Sequence, residues 1–303
     1  MNRVRGFSAV VFSVLALALA SIASADMRKL PHVIVGGGLA YPPYTMTLQD
    51  WYRDIVYDKS AKDTGSTSLD VYVNEPVEPG SPVMVWVHGG GFRVGDKASS
   101  KDLASKPEYF TNKLGYILVS INYRLLPEGE YPRNVQDVAD ALAWVHSNIA
   151  EFGGDPGQIF LMGHSAGAQL VAHVATDGSF LKNAGKDLNI LKGVIANEGS
   201  YDFPSGASPI LAGQHIPPFL FLAVKGGSTL IQNSEQQANG LADTLRKAGI
   251  SAEVVPLDHV QHFGANERLG QPGDITTAAL ERFLASIPGK KRPAGWMVGK
   301  PLN

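Results

Sequence analysis

The chain has 303 residues and no cysteine. Disulfides, thiolate zinc sites and a cysteine nucleophile are therefore excluded, so any nucleophilic chemistry must use another side chain. Charge is scarce as well. Charged residues make up 18% of the sequence and the formal net charge is −2, which offers nothing to a nucleic acid or another polyanion. The one basic run, Lys290-Lys291-Arg292, reads as a solvated tail. Internal repeats, low-complexity stretches and linker-like segments are missing, which points to one folded unit.

Long apolar runs are missing too, apart from the uncharged stretch Ala9 to Ala20. It follows Arg3 and Arg5 and precedes Ala23-Ser24-Ala25, the order of a cleavable export signal: basic start, apolar middle, small residues at the cut. The run is short for a membrane span. The expectation is processing before Asp26, with residues 1–25 as signal peptide and residues 26–303 as a single domain that is secreted or periplasmic and not stably inserted in a membrane.

What is present is a regular alternation. Apolar, β-branched runs at 82–87, 116–123, 159–162, 191–196, 219–224 and 252–257 are near-continuous rather than alternating, as expected for parallel strands covered on both faces. Between them lie helical patterns at 134–152, 166–176, 234–248 and 274–287. Ser234 stands where a cap belongs, Gly249 where a helix stops, and Asp274 opens the last helix. Residues 56–73, with Gly65 among polar neighbours, suggest an antiparallel hairpin at the sheet edge. The pattern predicts an α/β fold: a mostly parallel sheet of about eight strands with helices on both faces.

Two glycine-rich segments carry the chemistry. Gly163-His164-Ser165-Ala166-Gly167 matches G-x-S-x-G, directly after one predicted strand and directly before a helix. That context is what a nucleophile elbow needs: a turn too tight for bulky flanks, a hydroxyl lifted above the sheet, and the Ala166 N–H at a helix start. His88-Gly89-Gly90-Gly91-Phe92 follows the strand 82–87, and its glycines let backbone N–H groups approach a developing oxyanion. Neither segment fits a phosphate-binding loop.

Together these motifs resemble the α/β-hydrolase superfamily, within its hormone-sensitive-lipase-like and feruloyl-esterase-like carboxylesterases. Asn122-Tyr123-Arg124-Leu125 with Pro127-Glu128, Phe152-Gly153-Gly154-Asp155-Pro156 and the late His262-Phe263-Gly264-Ala265-Asn266 extend the likeness from about Asp50 to Pro288. The last stretch also resembles kynurenine-formamidase-like members. The resemblance implies Ser165 as nucleophile, Gly90, Gly91 and Ala166 as oxyanion donors, and Tyr123, Arg124 and Asp155 as supports near the elbow. It selects His262 over His259 as the general base, and it implies no metal or organic cofactor.

The acid is where the sequence departs from the family. The loop after the strand 219–224 reads Lys225-Gly226-Gly227-Ser228-Thr229, and no carboxylate stands near Thr229, where the family's acid would lie. Three arrangements meet this gap. The acid has moved to the loop after the preceding strand, at Asp202 or, alternatively, Glu198; a Ser–His dyad uses a neutral orienter such as Thr229; or catalysis has been lost. The segment 202–217 is also short, which predicts a reduced or absent cap and an open site. The expected function is an exported serine carboxylesterase acting on small or aromatic carboxylic esters. An amidase, formamidase or peptidase with the same nucleophile, and a hydrolase-like binding protein without turnover, stand as alternatives.

Overall fold

The computed structural model describes residues 50–203 and 213–288. The expected signal peptide, His32, the basic run at 290–292 and most of the short segment between the sixth and seventh strands lie outside the described residues. Eight strands form one sheet in the order β1-β2-β4-β3-β5-β6-β7-β8. They are β1 Asp50–Val56, β2 Ser68–Val73, β3 Ser81–Val87, β4 Ile117–Ile121, β5 Gly154–His164, β6 Leu191–Asn197, β7 Phe219–Val224 and β8 Ala252–Leu257. From β4 through β8 all neighbours are parallel, while β2 runs antiparallel to both β1 and β4. The expected edge hairpin is present, but its first strand ends at Val56 instead of starting there. Residues after Val56 turn away because Asp58 accepts bonds from the Ser60 N–H and hydroxyl, and Asp63 caps a short 3-10 turn.

The near-continuous apolar runs have a simple cause. All seven residues of β3 are buried, because successive side chains point to opposite faces and both faces are covered. Val83, Val85 and Val87 join one core, which takes in Val138 and Leu142 of α1 (Arg133–Asn148), Leu170 and Val174 of α2 (Ala166–Thr176), and Ala238 and Leu245 of α3 (Ser234–Lys247). Met84 and Trp86 join the other, with Phe110, Leu114 and, from α5 (Ile275–Ser286), Leu280 and Phe283. The edge strand β8 departs from the expected pattern: it is buried only in part and carries Pro256, which an edge strand tolerates because one side of its backbone needs no partner.

Helix ends follow the sequence in one place and not in another. Asp274 caps α5 by accepting the Thr277 N–H at 2.7 Å. Ser234 does not cap α3. It is the first helical residue, Asn233 precedes it without a side-chain cap bond, and the Ser234 hydroxyl is used elsewhere. Among the described residues no helix is long and apolar enough to cross a membrane.

Candidate active site

Ser165 sits between β5 and α2 with φ 56° and ψ −120°, a conformation that non-glycine residues rarely adopt and that is held only when its surroundings over-determine it. The flanking glycines supply that constraint. A Cβ on Gly163 would lie 2.4 Å from the Gly167 carbonyl oxygen, and one on Gly167 would lie 2.2 Å from the Val87 carbonyl oxygen. The turn therefore closes against itself and against the end of β3, and the Ser165 N–H donates to the Asn197 carbonyl of β6 at 3.0 Å. Three adjacent parallel strands thus fix one hydroxyl at their C-terminal ends, where ligands bind in open α/β sheets.

The glycine loop after β3 lies beside it. Gly90 and Gly91 both have positive φ, 109° and 59°. The Arg93 and Val94 N–H groups both donate to the Gly90 carbonyl at 3.1 Å, closing the loop on itself. Its base is pinned from below: the Tyr123 hydroxyl donates to the His88 carbonyl at 3.1 Å, and the Tyr123 ring stacks on His88 at 4.5 Å. Gly89 is in contact with the elbow, since a Cβ there would meet the His164 carbonyl and the Ser165 Cβ, each at 3.1 Å. The Ala166 N–H belongs to the first turn of α2, where backbone donors have no partner within the helix.

His262, on the loop after β8, brings Nε2 to 2.9 Å from Ser165 Oγ. Its ring is 3% exposed. Its backbone is held by His164, whose Nε2–H donates to the His262 carbonyl at 2.9 Å. Burial, reinforced by the neighbouring His262 and Lys106, pulls the His164 pKa down to about 3, so this histidine stays a neutral donor. The short helix α4 (Gly264–Glu267) that follows is tied down twice. Asn197 Nδ2 donates to the Ala265 carbonyl at 2.9 Å, and the fully buried Lys106 donates to the Asn266 and Asp102 carbonyls. Lys106 also lies over the Trp86 ring at 4.4 Å, and burial lowers its pKa to about 7. His259 has no part in this: its side chain is 94% exposed and its neighbour is Asp258.

Glu198, directly after β6, is the carboxylate at the far side of His262. Its Oε1 lies 3.6 Å from His262 Nδ1, and the side chain is wholly buried. Such a distance is long for a hydrogen bond, as base–acid contacts often are before substrate arrives. Asp202, the first choice from the sequence, is corrected here. It is exposed, and its backbone carbonyl is fixed by Gln169 of α2 at 3.0 Å, while Gln237 of α3 holds the Tyr201 N–H at 2.6 Å. The chain has turned to the surface by that point, which leaves Glu198, immediately after the strand, as the carboxylate that faces His262. Thr229 is exposed too.

Of the expected supports, Asp155 sits away from the elbow. Asp155 bonds the Gly157 N–H and Gln158 at the start of β5, the end opposite Ser165. Arg124 pairs with Asp137 and, at 3.3 Å, with Asp58. Asp58, Asp137 and Asp140 are close enough together to suggest a metal site, but the Arg124 guanidinium already meets that charge. Sequence reasoning did not find His164, Asn197, Lys106 or Ser234 as parts of the site. Ser234 alone left a trace, as an expected helix cap.

Comparison with known proteins shows which enzymes the chain is similar to. The BD-FAE family model matches residues 69–203, the stretch from β2 past Glu198. The chain is 29% identical to the probable carboxylic ester hydrolase LipM of Mycobacterium tuberculosis, over 88% of this chain and 68% of that one. It is 38% identical to the esterase LipQ of the same organism over 49% of this chain, although that match spans only 32% of LipQ. Esterase B from Lactobacillus rhamnosis superimposes with a TM-score of 0.62 at 18% identity, covering 91% of this chain and 92% of that one. The chain thus has the α/β-hydrolase fold, and the proteins it is similar to in sequence are carboxylic ester hydrolases.

Proposed function

We propose that the protein is an exported serine carboxylesterase that cleaves small or aromatic carboxylic esters through an acyl-enzyme. Ser165 Oγ attacks the ester carbonyl while His262 Nε2 takes its proton. The N–H groups of Gly90, Gly91 and Ala166 receive the negative charge that develops on the carbonyl oxygen. His262 then returns the proton to the leaving alcohol, and water, activated by the same histidine, releases the acid. Glu198 holds the Nδ1–H tautomer and stabilises the imidazolium that forms in both steps.

The observation that carries this reading is the 2.9 Å contact between His262 Nε2 and Ser165 Oγ, made at an elbow whose backbone is strained in the sense a nucleophile requires. Glu198 supports turnover over mere ligand binding, because a buried carboxylate facing an imidazole is costly to keep without a charge to stabilise. The test is hydrolysis of p-nitrophenyl acetate and butyrate by wild type and Ser165→Ala. Turnover that disappears in the variant supports the reading, and equal rates for the two proteins overturn it. Export rests on the pattern of residues 1–25. It predicts that protein recovered from the periplasm or medium begins at Asp26, read from its intact mass.

A further inference from the structure

The loop after β7 supplies no carboxylate, yet it has not left the site. It delivers two hydrogen-bond donors to the acid. The Val224 N–H, at the end of β7, donates to Glu198 Oε2 at 2.6 Å. Ser234 Oγ lies 3.1 Å from Oε1 and 3.0 Å from Oε2, and both Ser234 and Glu198 are 0% exposed. We propose that Ser234 is a positioning residue for catalysis: its hydroxyl clamps the Glu198 carboxylate in the orientation that faces His262 Nδ1. This inference rests on the acyl-enzyme reading above and adds a residue to it.

Three features make Ser234 more than filler. First, a carboxylate cut off from water needs hydrogen bonds to remain charged. Among the described residues, Val224 and Ser234 are the donors within bonding distance, and His262 Nδ1 stands back at 3.6 Å. Second, Ser234 is the first residue of the 14-residue helix α3, whose positive end adds to the preference for an anion there. Third, the loop is built to place this residue. Ser228 N–H donates to the Ile231 carbonyl at 2.9 Å, Ser234 N–H donates to the same carbonyl at 3.2 Å, and Gly226 N–H donates to Glu235 at 2.6 Å. A Cβ on Gly227 would lie 1.8 Å from the Gln232 carbonyl oxygen, so the return of the chain is as tight as glycine permits. Glu198 itself is held at φ 51°, and its N–H donates to the Leu222 carbonyl at 2.6 Å. The acid and its holder have exchanged strands: the carboxylate now comes from β6, and the segment after β7 grips it.

Ser234 acts on the chemistry only through Glu198, and a double-mutant cycle reads that directly. Steady-state hydrolysis of p-nitrophenyl butyrate is measured for wild type, Ser234→Ala, Glu198→Gln and the double variant. Each rate is normalised to the fraction of Ser165 labelled by a fluorophosphonate. Losing a hydrogen bond to a buried charge lowers kcat by about ten- to a hundredfold in Ser234→Ala, with KM within about threefold. On the Glu198→Gln background the same substitution changes kcat by less than about twofold. Ser234→Cys, near in size but a weak donor, falls between, and it carries the test if Ser234→Ala does not fold. An unchanged kcat in Ser234→Ala, or a loss as large on the Glu198→Gln background, overturns the inference. A Glu198→Gln variant as active as wild type removes the acid reading beneath it, and the two failures are thereby told apart.

Discussion

The two halves of the proposed catalytic centre are built in opposite ways. The nucleophile half uses two short segments, 88–91 and 163–167, each at the end of a central strand and locked by glycines that a single methyl group would disrupt. The base-and-acid half is assembled from the ends of β6, β7 and β8 and the start of α3, with His262, Glu198, Val224 and Ser234 spread over 65 positions of the chain. Its members are held by individual hydrogen bonds rather than by backbone contact. One half is specified by what cannot fit, the other by which donors and acceptors meet. The first is sensitive to an added Cβ at Gly89, Gly90, Gly163 and Gly167, whereas the second depends on which polar groups the strand ends bring together.

Substitutions should separate the halves by size and kind of effect. The largest loss belongs to Ser165→Ala, which should lower kcat for aryl esters by about five to six orders of magnitude, measured against the no-enzyme rate. Next comes Gly167→Ala. With a Cβ 2.2 Å from the Val87 carbonyl oxygen, the elbow and β3 must part, so melting should fall by at least about 5 °C and activity by tenfold or more. By contrast, Gly91→Ala meets nothing within 4 Å and bears only the strain of its φ of 59°, about 1 kcal/mol. Calorimetry of the two alanine variants side by side checks that order. A smaller effect is expected for Tyr123→Phe, which removes one neutral hydrogen bond below the oxyanion loop. That bond is worth about 1 kcal/mol, so kcat should drop about fivefold with the fold intact.

A further test reads His164, whose ring holds the His262 backbone, through pH. Unfolded, His164 takes up a proton near its ordinary value of 6.5, and in the fold it stays neutral down to about 3. Between those values the unfolded chain binds more protons, so this group lowers stability progressively as pH falls from about 6.5 to 3. A His164→Gln variant lacks that component. Its melting temperature, recorded from pH 7 to pH 4.5, should fall less steeply than that of wild type.

The legibility of each half in the sequence follows the same division. The parallel sheet was readable because strands covered on both faces need unbroken apolar runs, and the elbow because steric exclusion leaves glycines at fixed spacing. Asp274 was readable as a cap because its role is local. The acid was not, since Glu198 and Asp202 differ only in which one still lies at the strand end when the chain turns outward, and Gln169 and Gln237, which decide that turn, come from two other helices. Ser234 was misread for a related reason: a serine at a helix start signals a cap, and nothing local shows that its hydroxyl serves a carboxylate 36 residues away. The folded position of Lys106, a charged residue buried against Trp86, left no signal in the pattern of neighbouring residues.

The account turns on Glu198 as the acid, and the direct measurement is kcat for p-nitrophenyl butyrate in Glu198→Gln beside Asp202→Asn. The account predicts a loss of about three to four orders of magnitude in Glu198→Gln, as for removal of a triad acid, and a change of less than about threefold in Asp202→Asn, in keeping with a surface substitution. A Glu198→Gln enzyme of near wild-type activity, or a collapse in Asp202→Asn, would contradict it.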